Sequence, residues 1–230
     1  MAEEKESRLK REAPATTSYI DLPTRFDRWE PLAEVIATLV LAFATLATAW
    51  SGYQAARWGG VQSTSYSQAS ALRTESIRAS TEAGQLAQID IGIFTNWVNA
   101  YATENQELTQ FYEERFREEF RPAFDAWIAM VPAANQDAPK SPFSMPEYKL
   151  GKMEEADRLA AEAEATFAKG VEANQISDNY ILNTVILASV LFLGGIASRF
   201  KAMSARWVII VFSLAILVFG LSNLLSYPIE

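Results

Sequence analysis

Residues 31–50 read PLAEVIATLVLAFATLATAW, a run whose only charged residue is Glu34, near its start. A helix rises about 1.5 Å per residue, so about 20 apolar residues cross a hydrocarbon core of about 30 Å. The run begins too late and is too long for a secretory signal peptide, whose apolar core has about 7 to 15 residues. It therefore predicts a membrane-spanning helix.

Two further apolar runs lie downstream. Residues 180–198 read YILNTVILASVLFLGGIAS, and residues 207–227 read WVIIVFSLAILVFGLSNLLSY. Both have the length of a transmembrane helix, and a mostly polar, helix-forming stretch at 53–179 separates them from the first run. We expect an all-α integral membrane protein with three transmembrane helices and a long extramembrane helical bundle or coiled coil between the first two.

These runs divide the chain. We expect a disordered or interfacial arm at 1–30, transmembrane helices at 31–52, 180–198 and 207–227, a helical domain at 53–179, a link at 199–206 and a tail at 228–230. Five basic residues lie in the arm near the first run or in the link, and only two lie near the spans on the other side. Basic residues favour the cytoplasmic side. The arm and link are therefore predicted to be cytoplasmic, and the helical domain extracytoplasmic.

Aromatic side chains flank the runs, as amphipathic rings do at the level of lipid head groups. We expect six of them to be interfacial anchors: Trp50, Tyr53, Trp58, Tyr180, Trp207 and Tyr227. Their positions mark the predicted ends of the spans.

Charge and composition exclude several function classes. Residues 53–179 hold 11 basic and 19 acidic residues, which accounts for the whole net charge of -8, and such a surface repels nucleic acid. The chain has no His and no Cys, so triads, zinc hydrolases and thiolate nucleophiles are excluded. We expect that the protein is not an enzyme and that it has no catalytic residue, no cofactor and no metal site.

The extramembrane stretch has helical signals with a few breaks. Apolar positions recur at three- and four-residue steps from 61 to 120, but Gly84 leaves open whether this is one helix or a hairpin. Pro122 is predicted to end this stretch, and AFDAWIAM at 123–130 to form a short helix. After a Pro-rich connector at 131–146, Ser144 and Glu147 form a capping-box pattern that predicts a helix from about residue 146.

Small residues recur in the first run at alternating steps of four and three. This small-residue seam consists of Thr38, Ala42, Thr45, Ala49, Gly52, Ala56 and Gly59. Membrane helices associate by close backbone approach at small residues, so the seam predicts a helix-packing interface. Its partner is either the other spans of the same chain or a second copy. Small residues that continue the rhythm from 65 to 87 favour a homo-oligomer.

Polar residues gather at the predicted outer ends of all three spans. The polar outer-end cluster consists of Thr48, Ser51, Gln54, Asn183, Thr184, Ser222 and Asn223. Polar groups in hydrocarbon need partners, so we expect these side chains to face one another. They form either hydrogen bonds between helices or a polar vestibule for a small solute or ion.

A few charged residues are weaker candidates. Asp90 is either a buried acid with a raised pKa or an exposed or Arg-paired carboxylate, and the second interpretation is favoured. The alternating acids and arginines at 113–121 are typical of a solvated helix face rather than of a chelating cluster. Gln54 and Arg57, beside Trp58, can bind a lipid phosphate, but ordinary snorkelling of Arg57 is the simpler interpretation.

Three stretches carry a resemblance: WSGYQAARWGG at 50–60, SPFSMPEYKL at 141–150 and ANQISDNYILNTVILASVLFLGGI at 173–196. With them the chain, from about residue 31 to 200, is similar to a group of bacterial three-span membrane proteins of unknown function. The resemblance implies a membrane-embedded, mostly helical protein of the bacterial inner (cytoplasmic) membrane and assigns no activity.

Three function classes follow. The first is a non-enzymatic structural or accessory protein, a helical homo-oligomer in the lipid bilayer that presents an acidic extracytoplasmic bundle to envelope proteins. The second is a sensor or ligand-binding helical module, although the predicted cytoplasmic parts leave no room for an output domain. The third is an oligomeric channel lined by the polar outer ends of the spans.

Overall fold

The computed structural model describes residues 30–130, 139–197, 199–200 and 202–230. Five α-helices follow one another in this part of the chain: α1 Glu30–Ala102, α2 Gln106–Glu113, α3 Arg121–Met130, α4 Gly151–Ala197 and α5 Met203–Ser226. A short 3-10 helix at Pro142–Ser144 lies between α3 and α4, and the described residues contain no strand. The predicted arm, save for Glu30, and Lys201 of the link lie outside the described residues.

The sequence explains why the three long helices are continuous. In α1 the one Pro is Pro31, in the first turn, where a missing backbone N–H breaks no helical hydrogen bond. Neither α4 nor α5 contains Pro. All three contain a segment long and apolar enough to cross a membrane, by length and composition. The all-α prediction is therefore confirmed.

The described chain forms two compact units. The first comprises 30–50 and 183–226, and the second comprises 51–182 and 227–230. The boundaries fall near the ends of the apolar runs in the sequence. Each unit has its own core, so each is described separately.

The core of the first unit is aliphatic. Val40, Ala44, Leu187, Val190 and Leu217 are buried together in it with Ala47. Two glycines permit the close packing: a Cβ at Gly194 would lie 2.6 Å from Leu41, and one at Gly220 would lie 2.7 Å from Leu187. Larger residues at these two positions would force the Leu41 and Leu187 side chains to move.

In the second unit, the 51–102 part of α1 packs against α4 through small residues. Ala69, Ala83, Ala163 and Ala173 are buried between the two helices. Gly170 allows the ring of Tyr66 to lie directly against the α4 backbone, because a Cβ there would be 2.5 Å from that ring. Short side chains at these positions let the two backbones approach closely.

Hydrogen bonds between the two helices, two to the backbone and one between side chains, fix the register of this pair. Ser76 Oγ donates to Ala156 O at 2.8 Å, and Ser177 Oγ donates to Ala55 O at 2.9 Å. Gln62 Nε2 donates to Asn174 Oδ1 at 2.7 Å. A buried hydroxyl without such a partner would cost free energy, so each bond favours this register over a shifted one.

Aromatic side chains build the other part of the second unit. The aromatic cluster consists of Phe94, Trp97, Phe116, Phe120 and Phe124, with Trp127, Phe143 and Tyr148 packed against them. Its rings meet mostly edge to face, for example Trp97 and Phe124 with centroids 4.9 Å apart. Each ring removes a large apolar area from water, so the cluster holds α2, α3 and the 3-10 helix against the end of α1.

The structure settles the choice between one helix and a hairpin. Helix α1 passes Gly84 without a break and ends at Ala102. Glu104 then has a positive φ of 55°, and the Asn105 side chain caps α2 by accepting the Leu108 N–H at 3.0 Å. Residues 61–102 are thus a continuous part of α1, and a separate short helix follows.

Two predicted boundaries are wrong. Helix α4 begins at Gly151 rather than near residue 146, because Tyr148 packs into the aromatic cluster and holds the preceding residues out of a helix. Ser144 therefore caps nothing and lies in the 3-10 helix instead. Pro122 lies in the first turn of α3, so it begins a helix, where Pro is well accommodated. The short helix expected at 123–130 is confirmed within α3.

Candidate functional site

One polar site in the second unit lies where residues 53–58, which read YQAARW, meet residues 227–230. We call residues 227–230 the strap. Trp58 Nε1 donates to Pro228 O at 3.1 Å. The Tyr180 hydroxyl donates to the same carbonyl, also at 3.1 Å. The rings of Tyr180 and Tyr227 meet edge to face with centroids 5.2 Å apart. One strap carbonyl thus receives two hydrogen bonds from two different helices.

Gln54 continues this site. Its side chain is fully buried, and its Oε1 accepts the Glu230 backbone N–H at 3.1 Å. Its Nε2 is buried and has no hydrogen-bond partner among the described residues. Arg57 lies 3.6 Å from the Glu230 carboxylate, and an open cavity of about 400 Å³ lies beside this ion pair. The position considered for a lipid phosphate is therefore occupied by a carboxylate of the chain itself.

The predicted interfacial anchors have different environments. Trp50 and Tyr53 are exposed, whereas Trp58, Trp207 and Tyr227 are half-buried. Tyr180 is completely buried. The interfacial positions of the six residues stay a prediction. The Tyr180 hydroxyl donates a hydrogen bond to the strap, which lies far from Tyr180 in the sequence.

The polar outer-end cluster divides between the two units. In the second unit, Ser51 Oγ donates to Tyr180 O at 3.0 Å, and Gln54 contacts the strap. In the first unit, Asn223 Nδ2 donates to Asn183 Oδ1 at 3.4 Å. The Thr48 hydroxyl donates to Ala44 O in the same helix. Of the remaining members, Thr184 is half-buried and Ser222 is exposed.

Most of the small-residue seam is exposed in the described structure. Six of its residues are exposed and Gly59 is half-buried; the exposed ones are Thr38, Ala42, Thr45, Ala49, Gly52 and Ala56. The face of α1 that packs within the first unit carries Ala33, Val40, Ala44 and Ala47. The exposed residues favour the second alternative, a second copy, and the seam stays a predicted interface. The residues expected to continue it, such as Ala69 and Ala83, are buried against α4 instead.

A different face of α1 is exposed in the second unit. Its residues recur every seven positions: Ser63, Ser70, Ile77, Gly84, Ile91 and Val98. We call this set the heptad face. All six are exposed, Ile77 at 68% and Ile91 at 47%. A solvated helix face normally carries charges, whereas this one has none.

Asp90 is the one carboxylate that the described structure buries almost completely, with 1% exposed. Its Oδ2 accepts Arg117 Nη1 at 2.9 Å and the Tyr148 hydroxyl at 3.1 Å, whereas Oδ1 is buried without a partner among the described residues. Burial raises the pKa of Asp90, although the nearby Arg117 guanidinium opposes this. Burial also raises the pKa of Tyr148. Features of both predicted alternatives are therefore present. The Asp90 carboxyl is buried with a raised pKa, and it is also paired with Arg117.

The acids and arginines at 113–121 do not form one solvated helix face, since α2 ends at Glu113 and turns follow it. Arg117 bridges Asp90 and Glu119, and the second Glu119 oxygen accepts the Gly151 N–H at 3.3 Å. Arg115 covers the ring of Phe111. Among the described residues, no three acidic side chains converge as a metal site requires.

Sequence reasoning missed the strap, Arg117 and Tyr148 as site residues. Pro228 offered one signal, because a Pro followed by an acid directly after an apolar helix predicts an extended segment. Nothing local indicated that Tyr148 would reach Asp90, which lies 58 positions earlier. Comparison with protein-family models, curated proteins and solved structures found no match.

Proposed function

We propose that this chain is a non-enzymatic integral membrane protein, a structural or accessory helical homo-oligomer. It sits in the bacterial inner (cytoplasmic) membrane with its N-terminus in the cytoplasm. It presents the acidic residues of 53–179 to envelope proteins on the other side. The single observation that supports the oligomer best is the uncharged, exposed heptad face of α1.

The energetic argument rests on the large members of that face. Ile77, Ile91 and Val98 lie well outside the apolar runs and expose 68%, 47% and 39% of their surface. Burying such a side chain fully is worth about 1.5–3 kcal/mol. Of the charged residues in this part of α1, Glu75, Arg78, Glu82 and Asp90 lie off the face. Arg73 flanks the face, four positions before Ile77, but it pairs with Glu164 at 3.3 Å and covers the ring of Phe167. Association through this face would therefore bury apolar surface without burying an unpaired charge.

The seven-residue repeat indicates a helical partner. Two helices pack along a common seam when both present contact residues at about 3.5-residue spacing, and the heptad face supplies one of the two contact positions in each seven-residue repeat. A second copy of α1 carries the same repeat. In the apolar run, the exposed small-residue seam would permit the close approach by which helices associate in lipid.

Cross-linking tests this proposal directly, because the chain has no native Cys. We expect single Cys variants at Gly84 and Ile91 to form disulfide-linked dimers on mild oxidation in membranes. The matched control is Gln85→Cys, an exposed position beside the face. Equal cross-linking at Gln85 and Gly84 would contradict the proposed interface.

Orientation has its own test. We expect a membrane-impermeant thiol reagent, added to intact cells, to label Ser65→Cys and to leave Ser204→Cys unlabelled until the membrane is permeabilised. The positive-inside bias supports this orientation. Labelling of the Ser204 variant alone would show that the orientation is the reverse of the proposed one. This result would not bear on the proposed oligomer.

A further inference from the structure

We propose that Gln54, Arg57, Trp58 and Tyr180 form a peptide-binding site for an extended segment of the order aromatic, Pro, any residue, acid. In this structure the strap, residues 227–230, fills it. A partner protein with a segment of the same chemistry would compete with the strap for the site. This inference does not depend on the oligomer.

The site recognises main chain rather than side chains at its centre. Trp58 Nε1 and the Tyr180 hydroxyl both donate to Pro228 O, each at 3.1 Å. Both are donors aimed at a residue type that has a carbonyl but no backbone N–H. Pro also fixes the backbone in an extended form, which lowers the entropy lost on binding.

The second main-chain contact sets the register. Gln54 Oε1 accepts the N–H of Glu230, two residues after Pro228, at 3.1 Å. A carbonyl and an N–H at this separation match an extended backbone, with its rise of about 3.3 Å per residue. A helical segment would not present these two groups to the same pair of partners.

Side chains at the two ends of the strap supply selectivity. The Tyr227 ring packs on Tyr180, and the Glu230 carboxylate lies 3.6 Å from Arg57. Ile229 between them is 68% exposed, so the third position of the motif is unrestricted. The recognised order is therefore aromatic, Pro, any residue, acid.

Two observations indicate that the strap can be replaced. It lies outside the helices, and Pro228, Ile229 and Glu230 are exposed although the groups they contact at Gln54 and Tyr180 are buried. The Gln54 Nε2 donor remains buried and unpartnered among the described residues while the strap is bound. A competing peptide that brings an acceptor to this nitrogen would satisfy it, so the strap is not the best possible ligand.

The test uses a fluorescein-labelled peptide Ser-Tyr-Pro-Ile-Glu and the detergent-solubilised full chain. We expect saturable binding, measured by anisotropy, to a variant that lacks 227–230, and at least tenfold weaker binding to the parent, whose strap occupies the site. A peptide of the same composition in reversed order is the control. In the strapless variant, Trp58→Phe and Tyr180→Phe should each weaken binding about fivefold, the effect of one neutral hydrogen bond.

A second variant covers the case in which deletion disturbs the fold. Glu230→Lys keeps the full length but places a cation beside Arg57, so it should loosen the strap and bind the peptide more tightly than the parent does. Circular dichroism checks that helix content is unchanged. If neither variant binds the peptide better than the parent, or both bind the reversed peptide equally well, the proposal is overturned.

Discussion

The two faces of α1 in the second unit reverse the usual relation between residue size and burial. The face against α4 carries Ala69, Ala79 and Ala83, all almost completely buried, whereas the opposite face exposes Ile77 and Ile91. Small buried residues let two backbones approach closely. Large exposed apolar residues stabilise the protein only when a further partner covers them. Contacts within one chain therefore bury one face of this helix and leave the other face exposed.

The strongest effect is expected away from both faces, in the aromatic cluster that holds the end of α1. Phe120 is completely buried there, so Phe120→Ala should lower the free energy of unfolding by about 3–5 kcal/mol. The control Phe111→Ala, at a ring that is 44% exposed, should cost less. Chemical denaturation in detergent measures both. Equal losses would show that the cluster is not the main support of this region.

Overpacking tests the buried face of α1. Ala83→Leu forces three extra carbons between α1 and α4 and should cost about 1–3 kcal/mol. Ser80→Leu introduces the same side chain at an exposed position of the same helix and should leave the thermal midpoint nearly unchanged. A large shift for Ser80→Leu with none for Ala83→Leu would reverse the assignment of the faces.

The Asp90 carboxyl should give a smaller, pH-dependent effect. Its pKa is raised by burial, so the folded chain binds this proton more tightly than the unfolded chain does. The stability that this provides is complete below the ordinary value of 3.8 and is lost as pH rises through the raised pKa. Asp90→Asn keeps an acceptor for Arg117 and Tyr148 but removes the titration.

The thermal midpoint of Asp90→Asn relative to the parent should therefore increase from pH 4 to pH 7. Asp125→Asn, at an exposed carboxylate, serves as the control. A relative midpoint that falls over this range would mean that pairing with Arg117 outweighs burial.

The sequence predicts the helices well because their signals are local. An apolar run of about 20 residues and the absence of Pro beyond the first turn identify α1, α4 and α5 without knowledge of any contact. The start of α4 was missed for the opposite reason. The capping pattern at Ser144 is local, but Tyr148 contacts Asp90 and the aromatic cluster, and these tertiary contacts outweigh it.

Site prediction fails for similar reasons. The spacing of small residues predicted a packing seam but not which side of α1 would be buried within the chain, because that depends on where α4 lies. The sequence singles out Gln54 as a polar residue and Trp58 as an aromatic anchor near the end of the first apolar run. Their partners were not found, since Gln54 and Glu230 are 176 positions apart.

The mass of the purified protein in detergent, measured by light scattering, tests the central claim most directly. We predict a multiple of the 25.6 kDa chain for the parent and for the control Gln85→Glu/Asn96→Glu, both at exposed positions off the heptad face. Ile77→Glu/Ile91→Glu should reduce the mass towards one chain, because it places two charges on that face. A parent that is already a single chain, or a double variant whose mass is unchanged, would contradict the account.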